Sequence, residues 1–330
     1  VKISIDEARA LVSDVMATYG YDAEQSGIIA DHLIDTELRG FGAGGLARAV
    51  TVAERLEASA PFKPITTLNE TPASLALDGG DQAGYIVAKL LTERLIEKAR
   101  TSAAVVGTAR NTWATGMFTY YLEMITAAGL MGFVASSGGP YVAPYGASEA
   151  RFGTNPVAFG FPSKGNPVIW DIGTSSLMLA DLTLAKKHRE PLPEGLAFTA
   201  DGEPTTDAAA VLSGGTITTW GGHKGSGLAL SAQLLGMMAG SAMAPPWLTD
   251  MGFFMFVVDP SALSEDFPAR TSEFVDLLHS TRPVDPNQQV RVPFERSIAM
   301  RNDLLSTGKF EVEDQHVETL REVLARRTPR

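Results

Sequence analysis

Two polar, glycine-bearing segments hold the residues best suited to chemistry. Arg151-Phe152-Gly153-Thr154-Asn155-Pro156 is a tight polar turn between apolar stretches. Gly221-Gly222-His223-Lys224-Gly225-Ser226-Gly227 is a glycine-rich loop with a cation, leading into an apolar, helix-like run. Glycines allow close backbone approach and expose N–H groups, Lys224 adds positive charge, and a helix start adds its own positive end. That combination suits a phosphate or carboxylate. The glycines would equally serve a turn needed for tight helix packing. Walker A spacing is absent.

Asp171-Ile172-Gly173-Thr174-Ser175 follows an apolar, strand-like run. Polar residues at the carboxyl end of a strand line ligand crevices in α/β sheets. Asp171 and Thr174 could also cap the next helix. Arg48 could grip a carboxylate bidentately or stand as a solvated helix arginine. Gly40-Phe41-Gly42-Ala43-Gly44-Gly45 fits the letters of a dinucleotide fingerprint. A fingerprint requires a strand before it, whereas here a helix precedes, so an inter-helix loop is expected.

Several function classes drop out. The net charge is −11 and no dense Lys/Arg tract occurs, which argues against nucleic acid and acidic membrane surfaces as partners. With no cysteine, disulfides, thiolate metal sites and cysteine nucleophiles are excluded. A cytoplasmic location is expected, since such a chain suits a reducing compartment. The first residues, Val1-Lys2-Ile3-Ser4, do not read as a signal peptide. His32, His188, His223, His279 and His316 show no zinc-type spacing, so no metal is expected. His32 reads as an ordinary helix residue. The apolar run from Leu228 to Met243 is too short to span a membrane and reads as a buried helix.

The elements that must position these residues follow from periodicity. Ser4-Ile5-Asp6-Glu7 is a capping box. Helices are expected after it, over Ala23 to Leu38 and near Leu46 to Leu56. Pro61, Pro64 and Pro72 mark a linker. Beyond it, strands at Ala73 to Asp78, Ala103 to Thr108, Met131 to Ala135, Val157 to Phe161, Val168 to Ile172 and Phe253 to Val258 are expected. Gly79-Gly80 reads as a turn, and helices are expected over Tyr85 to Ala99 and Tyr120 to Gly129. The 330 residues suffice for two domains: a helical one from 1–72 with 296–330, and an α/β one over 73–295.

Taken in order, several segments resemble the malate/L-lactate dehydrogenase family, which is distinct from the Rossmann dehydrogenases. They are Leu38-Arg39-Gly40, Asp78 to Gly84, Tyr120-Tyr121, Val142-Ala143-Pro144, Gly153 to Pro156, Asp171 to Ser175, Pro191 to Gly195 and Gly222 to Leu230. The resemblance implies a non-Rossmann NAD(P)-binding α/β fold with a mixed sheet. It also implies a homodimer with its site near the subunit interface. The expected activity is hydride transfer with NAD or NADP on a small 2-oxo acid, 2-hydroxy acid or cyclic imino acid. By the same resemblance, Arg48 and Thr154 contact the substrate carboxylate. Gly138, Ile172, Gly173, Thr174, His223, Lys224 and Gly225 contact the cofactor.

Three departures stand out. Where the family carries Asp-Ser-His-Gly, this chain has Gly42-Ala43-Gly44-Gly45. Where it carries Asn-x-x-His-Phe-Gly, Ala114 takes the histidine's place. Where it carries Pro-Gly-Glu, Phe294 replaces the glycine and could crowd a cofactor. Reduction of a carbonyl needs a proton, and general acid catalysis contributes ~10²–10⁴-fold. Asp171 is the remaining titratable candidate beside the ligand. A protonated cyclic imine would need no protein acid. The competing reading is a non-redox enzyme, a lyase or isomerase, or a catalytically silent anion-binding protein on the same scaffold.

Overall fold

The computed structural model describes residues 1–59 and 61–327; residue 60 and the last three positions of the tail lie outside the described residues. The chain opens with β1 (Lys2–Ser4), α1 (Ile5–Ala17), α2 (Ala23–Leu38) and α3 (Leu46–Glu57). It continues through β2 (Thr66–Thr71), β3 (Ser74–Ala83), α4 (Gly84–Ser102), β4 (Ala104–Trp113), α5 (Thr119–Ala127) and β5 (Met131–Ser136). Next come β6 (Val142–Ala143), β7 (Val157–Phe161), β8 (Val168–Ile172), α6 (Leu179–His188), β9 (Ala197–Phe198) and α7 (Ala208–Leu212). It closes with β10 (Thr216–Thr218), α8 (His223–Met238), β11 (Phe253–Val258), α9 (Phe267–His279), α10 (Glu295–Thr307), β12 (Lys309–Glu311) and α11 (Asp314–Arg327).

The main sheet has seven strands in the order β2-β3-β4-β11-β5-β7-β8. Only the β3–β4 pair is parallel, so the sheet is mixed. Strand alternation splits it into two faces. Val134, Ala158, Ile169, Phe253 and Met255 share one apolar cluster with Leu91, Leu95, Leu122 and Ile125 of α4 and α5. Ala135, Val157 and Ile172 pack instead with Ala232 of α8. A small sheet, β6-β10-β9, stands beside α8.

The two chain ends meet. β1 pairs with β12, and Leu320 and Val323 of α11 share a core with Val12 of α1 and Val52 of α3. Ser4 accepts from the Glu7 amide (3.1 Å), which is one half of the expected capping box, since the Glu7 carboxylate pairs with Arg321 instead; Asp22 and Gln25 form a complete, reciprocal box on α2.

Two expectations need correction. The proline-flanked linker contains a strand, β2, whose six residues are all exposed on the sheet edge. Gly79-Gly80 is no strand-ending turn: β3 continues past a bulge between Asp78 and Gln82. The bulge is stabilised locally, since Asp78 Oδ1 accepts from the Gly80 amide (3.0 Å) and Gly80's carbonyl accepts from Lys63 (2.7 Å).

Candidate active site

One end of β5, β7 and β8 gathers most of the polar residues singled out above. Asn155 is the clamp. It is fully buried, and its Oδ1 accepts from the Gly138 amide at 3.2 Å. Its Nδ2 donates to the Ala229 carbonyl (2.9 Å) and to Gln233 Oε1 (2.8 Å) on α8. Thr154's carbonyl accepts from both the amide (2.7 Å) and the hydroxyl (2.9 Å) of Thr174. Trp220 then ties this strand end to the glycine loop: its indole N–H donates to Gly173's carbonyl (2.7 Å) and its amide to Thr174's (3.1 Å). Gly138, Thr154, Ile172, Gly173, Thr174, His223, Lys224 and Gly225 therefore form one neighbourhood.

Glycine is required in that neighbourhood. Gly221 and Gly222 have φ of 62° and 60°, a left-handed conformation that brings the chain into α8. A Cβ on Gly225 would overlap the Trp220 carbonyl. One on Gly153 would lie 2.9 Å from the Gly138 Cα. His223 and Lys224 stand exposed on the first turn of α8, and Lys224 makes no ion pair among the described residues. Tyr145, which sequence reading did not single out, leans over this loop. Its amide donates to Ser226 Oγ (3.0 Å), and its ring meets His223 at 6.0 Å.

The helical side contributes Arg48. It sits half-buried on the first turn of α3 and forms no hydrogen bond or ion pair among the described residues. Its charge acts on the buried Tyr85 hydroxyl, whose pKa burial nonetheless pushes up to about 12. The Gly42–Gly44 segment is a 3₁₀ turn joining α2 to α3, so it is an inter-helix loop. A side chain at Gly44 would meet the Thr36 methyl at 2.8 Å. At Ala114, whose φ is 51°, the amide donates to Met251 Sδ (3.4 Å). The Met251 methyl also reaches within 3.8 Å of a Cβ position on Gly138. Met251 thus fills the space beside Ala114 and links the two halves.

His32 is a core residue. Its Nε2 accepts from the Met117 amide (2.9 Å), and the rings of Tyr85, Tyr120 and Tyr121 surround it at 4.7–5.4 Å. Burial, aided by the Arg39 charge, lowers its pKa to about 3, so it stays neutral. Tyr121 donates to the Thr115 carbonyl (2.7 Å).

Asp171 takes a direction that the strand pattern alone did not disclose. On β8 it alternates with Ile172, so it faces α5 while Ile172 faces α8. Its Oδ2 accepts from both the amide (2.8 Å) and the hydroxyl (3.1 Å) of Thr119, the first residue of α5. Burial raises its pKa to about 6 against those donors and the Phe118 amide. A second carboxyl went unnoticed in the sequence. Glu37 on α2 accepts from the Leu46 amide (2.8 Å) at the start of α3. Burial raises its pKa to about 7, opposed only by that bond.

Comparison with known proteins settles the family. The model of the family described as malate/L-lactate dehydrogenase matches residues 3–321. The chain belongs to the malate/L-lactate dehydrogenase family. L-sulfolactate dehydrogenase of Methanocaldococcus jannaschii is 28% identical over 330 residues, covering 96% of this chain and 95% of that protein. A Delta(1)-pyrroline-2-carboxylate/Delta(1)-piperideine-2-carboxylate reductase of Pseudomonas aeruginosa is 30% identical over 240 residues, 71% of each. Among solved structures, a dehydrogenase from Sinorhizobium meliloti superposes with a TM-score of 0.90 at 28% identity, covering 98% of both chains.

Dehydrogenases of this family are nicotinamide-dependent in general, and the residues present fit such a cofactor. Gly221 and Gly222 bring bare backbone up to the start of α8, α8 offers its positive end, and Lys224 is unpaired among the described residues. The family pieces explain other features. Arg39 is buried in an ion network in which it binds Asp35 (2.7 Å) and Glu123, and Arg301 binds the same two acids. Phe294 has φ of 84°, the backbone of the glycine that the family carries there. Its ring lies buried 5.3 Å from the Arg39 guanidinium. The ring packs into the network joining α2, α5 and α10. Among the described residues no group of three potential metal ligands occurs, and no helix is long and apolar enough to cross a membrane.

Proposed function

We propose that this chain is a nicotinamide-dependent reductase of a small 2-oxo acid or cyclic imino acid, working with NAD or NADP. One observation carries the reading. The segments at Gly138, Thr154, Gly173-Thr174 and Trp220 are locked by hydrogen bonds around an unpaired Lys224 at the start of a 16-residue helix. In this reading Ile172, Gly173, Thr174, His223, Lys224, Gly225 and Gly138 hold the cofactor, Arg48 and Thr154 hold the substrate carboxylate, and Asp171 caps α5 rather than moving a proton. The cofactor, when bound, supplies or takes the hydride.

The working unit is a homodimer in the cytoplasm. α8 buries Ala229, Ala232 and Gly236 yet exposes Leu230, Leu234 and Met238, four residues apart, with Trp247 beyond them. A helix that is apolar all round requires cover on both sides. A second reading keeps the pocket without the redox step, as a lyase, an isomerase or a silent anion-binding protein. The fillings at Thr36 and Met251, where the family carries histidines, favour it. Fluorescence titration with NADH and NADPH separates the two: saturable binding with turnover of pyruvate or Δ1-piperideine-2-carboxylate supports the reductase. Anion binding without either nucleotide supports the alternative.

A further inference from the structure

The Glu37 carboxyl occupies a notch that only glycine can provide. A Cβ on Gly42 would lie 3.1 Å from its Oε1, and one on Gly45 would overlap its Oε2 and come within 2.8 Å of its Cδ. The carboxyl therefore sits against the turn that carries Ala43 and Gly44, the two positions where the family has its Ser-His pair. Its one hydrogen bond, from Leu46, anchors it to the first turn of α3, two residues before Arg48. No cation neutralises it among the described residues. Among the charged neighbours, Arg39 and Arg301 are engaged with Asp35 and Glu123, and Arg48 is unpaired. The turn contributes no titratable group, and Met300 is what α10 brings against it at Gly40.

We infer that Glu37 is the proton-handling residue of the substrate site, standing in for the missing histidine. The inference rests on the reductase reading above. As a 2-oxo acid is reduced, the carbonyl double bond opens, and its oxygen needs one proton; a protonated cyclic imine already carries its own. The Glu37 O–H bond breaks, the proton passes to that oxygen directly or through one water, and the resulting carboxylate regains a proton from solvent. The hydride comes from the reduced nicotinamide. A carboxyl whose pKa burial raises to about 7 still holds that proton near neutral pH.

The test compares wild type with Glu37→Gln and Glu37→Asp, using NADH or NADPH and the better 2-oxo acid of pyruvate and oxaloacetate. Gln keeps an acceptor for the Leu46 amide but cannot give up a proton. Expected results are unchanged nucleotide affinity, a ~10²-fold or larger fall in kcat, and loss of the limb that declines near pH 7 in wild type. Asp should keep that limb at reduced rate. Melting temperature followed from pH 5 to 8 gives a readout independent of turnover: wild type should lose stability as pH rises through about 7, and Glu37→Gln should lose less, keeping only the decline through about 6 that Asp171 contributes. Glu37→Gln turning over within about twofold of wild type with the same pH limb, or sharing its melting profile, overturns the inference alone. Wild type that binds neither nucleotide and turns over none of the substrates overturns the reductase reading, and the inference with it.

Discussion

Replacing Asp171 by Asn separates a cap from a catalytic acid. The amide oxygen of Asn can accept from the Thr119 amide and hydroxyl as Asp171 Oδ2 does, but the group no longer ionises. The folded-state pKa of about 6 lies above the ordinary 3.8. The folded protein therefore prefers the protonated carboxyl. Its stability contribution is complete below about pH 4 and is lost as pH rises through about 6. The gap corresponds to ~3 kcal/mol above pH 7, a ceiling because the residue keeps some solvent exposure. An unfolding entropy of ~2.1 cal/mol/K per residue gives ~0.7 kcal/mol/K for a chain this long, so the ceiling is ~4 °C in Tm. Asp171→Asn should thus melt up to about 4 °C higher than wild type at pH 8, and the two should converge near pH 4. Its kcat should stay within about twofold. Scanning calorimetry across pH and steady-state assays at saturating substrate read both. A ~10²-fold fall in kcat with an unchanged pH–Tm curve would refute the cap and restore Asp171 as the proton donor.

Other outcomes follow from packing and charge. Arg39→Ala leaves Asp35 and Glu123 buried with only Arg301 to answer them, and urea unfolding should show a loss of ~3–5 kcal/mol. Phe294→Gly relieves a backbone at φ 84° worth ~1–3 kcal/mol but empties a buried ring site worth ~3–5 kcal/mol. A net loss of ~2 kcal/mol is expected, and a more stable variant would contradict the assigned packing. Leu234→Asp places a charge in the exposed apolar stripe of α8; sedimentation should shift from dimer to monomer, whereas an unchanged sedimentation profile would remove α8 from the interface.

The fold was legible wherever burial and punctuation agreed. β7 lies between Pro156 and Pro162, β8 follows Pro167, and β11 ends at Asp259-Pro260. Apolar residues or glycine fill all five positions of β7, all six of β11 and all of β8 but Asp171, and the boundaries match the expected ones. β2 gave no such signal. Its sequence, Thr-Thr-Leu-Asn-Glu-Thr, is exposed throughout, so nothing in it alternates. Gly79-Gly80 was read by the ordinary meaning of two glycines, a turn, while β3 uses them to bulge. β6, β9 and β10 are two or three residues long, too short for any periodicity to register.

The site was legible where a residue type carries its own chemistry and illegible where direction or empty space decides. The glycine loop with Lys224 marked a cationic turn opening a helix by composition alone, and α8 begins there. Asp171 did not declare its face, because one step along a strand reverses a side chain, and only the packing of Ile169 on α5 and Ile172 on α8 sets the parity. Glu37 was harder still. A glutamate near the end of a polar helical stretch reads as solvated, and what encloses it arrives five to nine residues later as Gly42, Gly45 and Leu46. The substitutions at Ala43 and Gly44 read as pure loss when each position is judged by the side chain it lacks. Space reverses that judgement. In a turn where Gly45 admits no Cβ beside the Glu37 carboxyl, the capacity to hold a proton moves from the loop to the helix behind it.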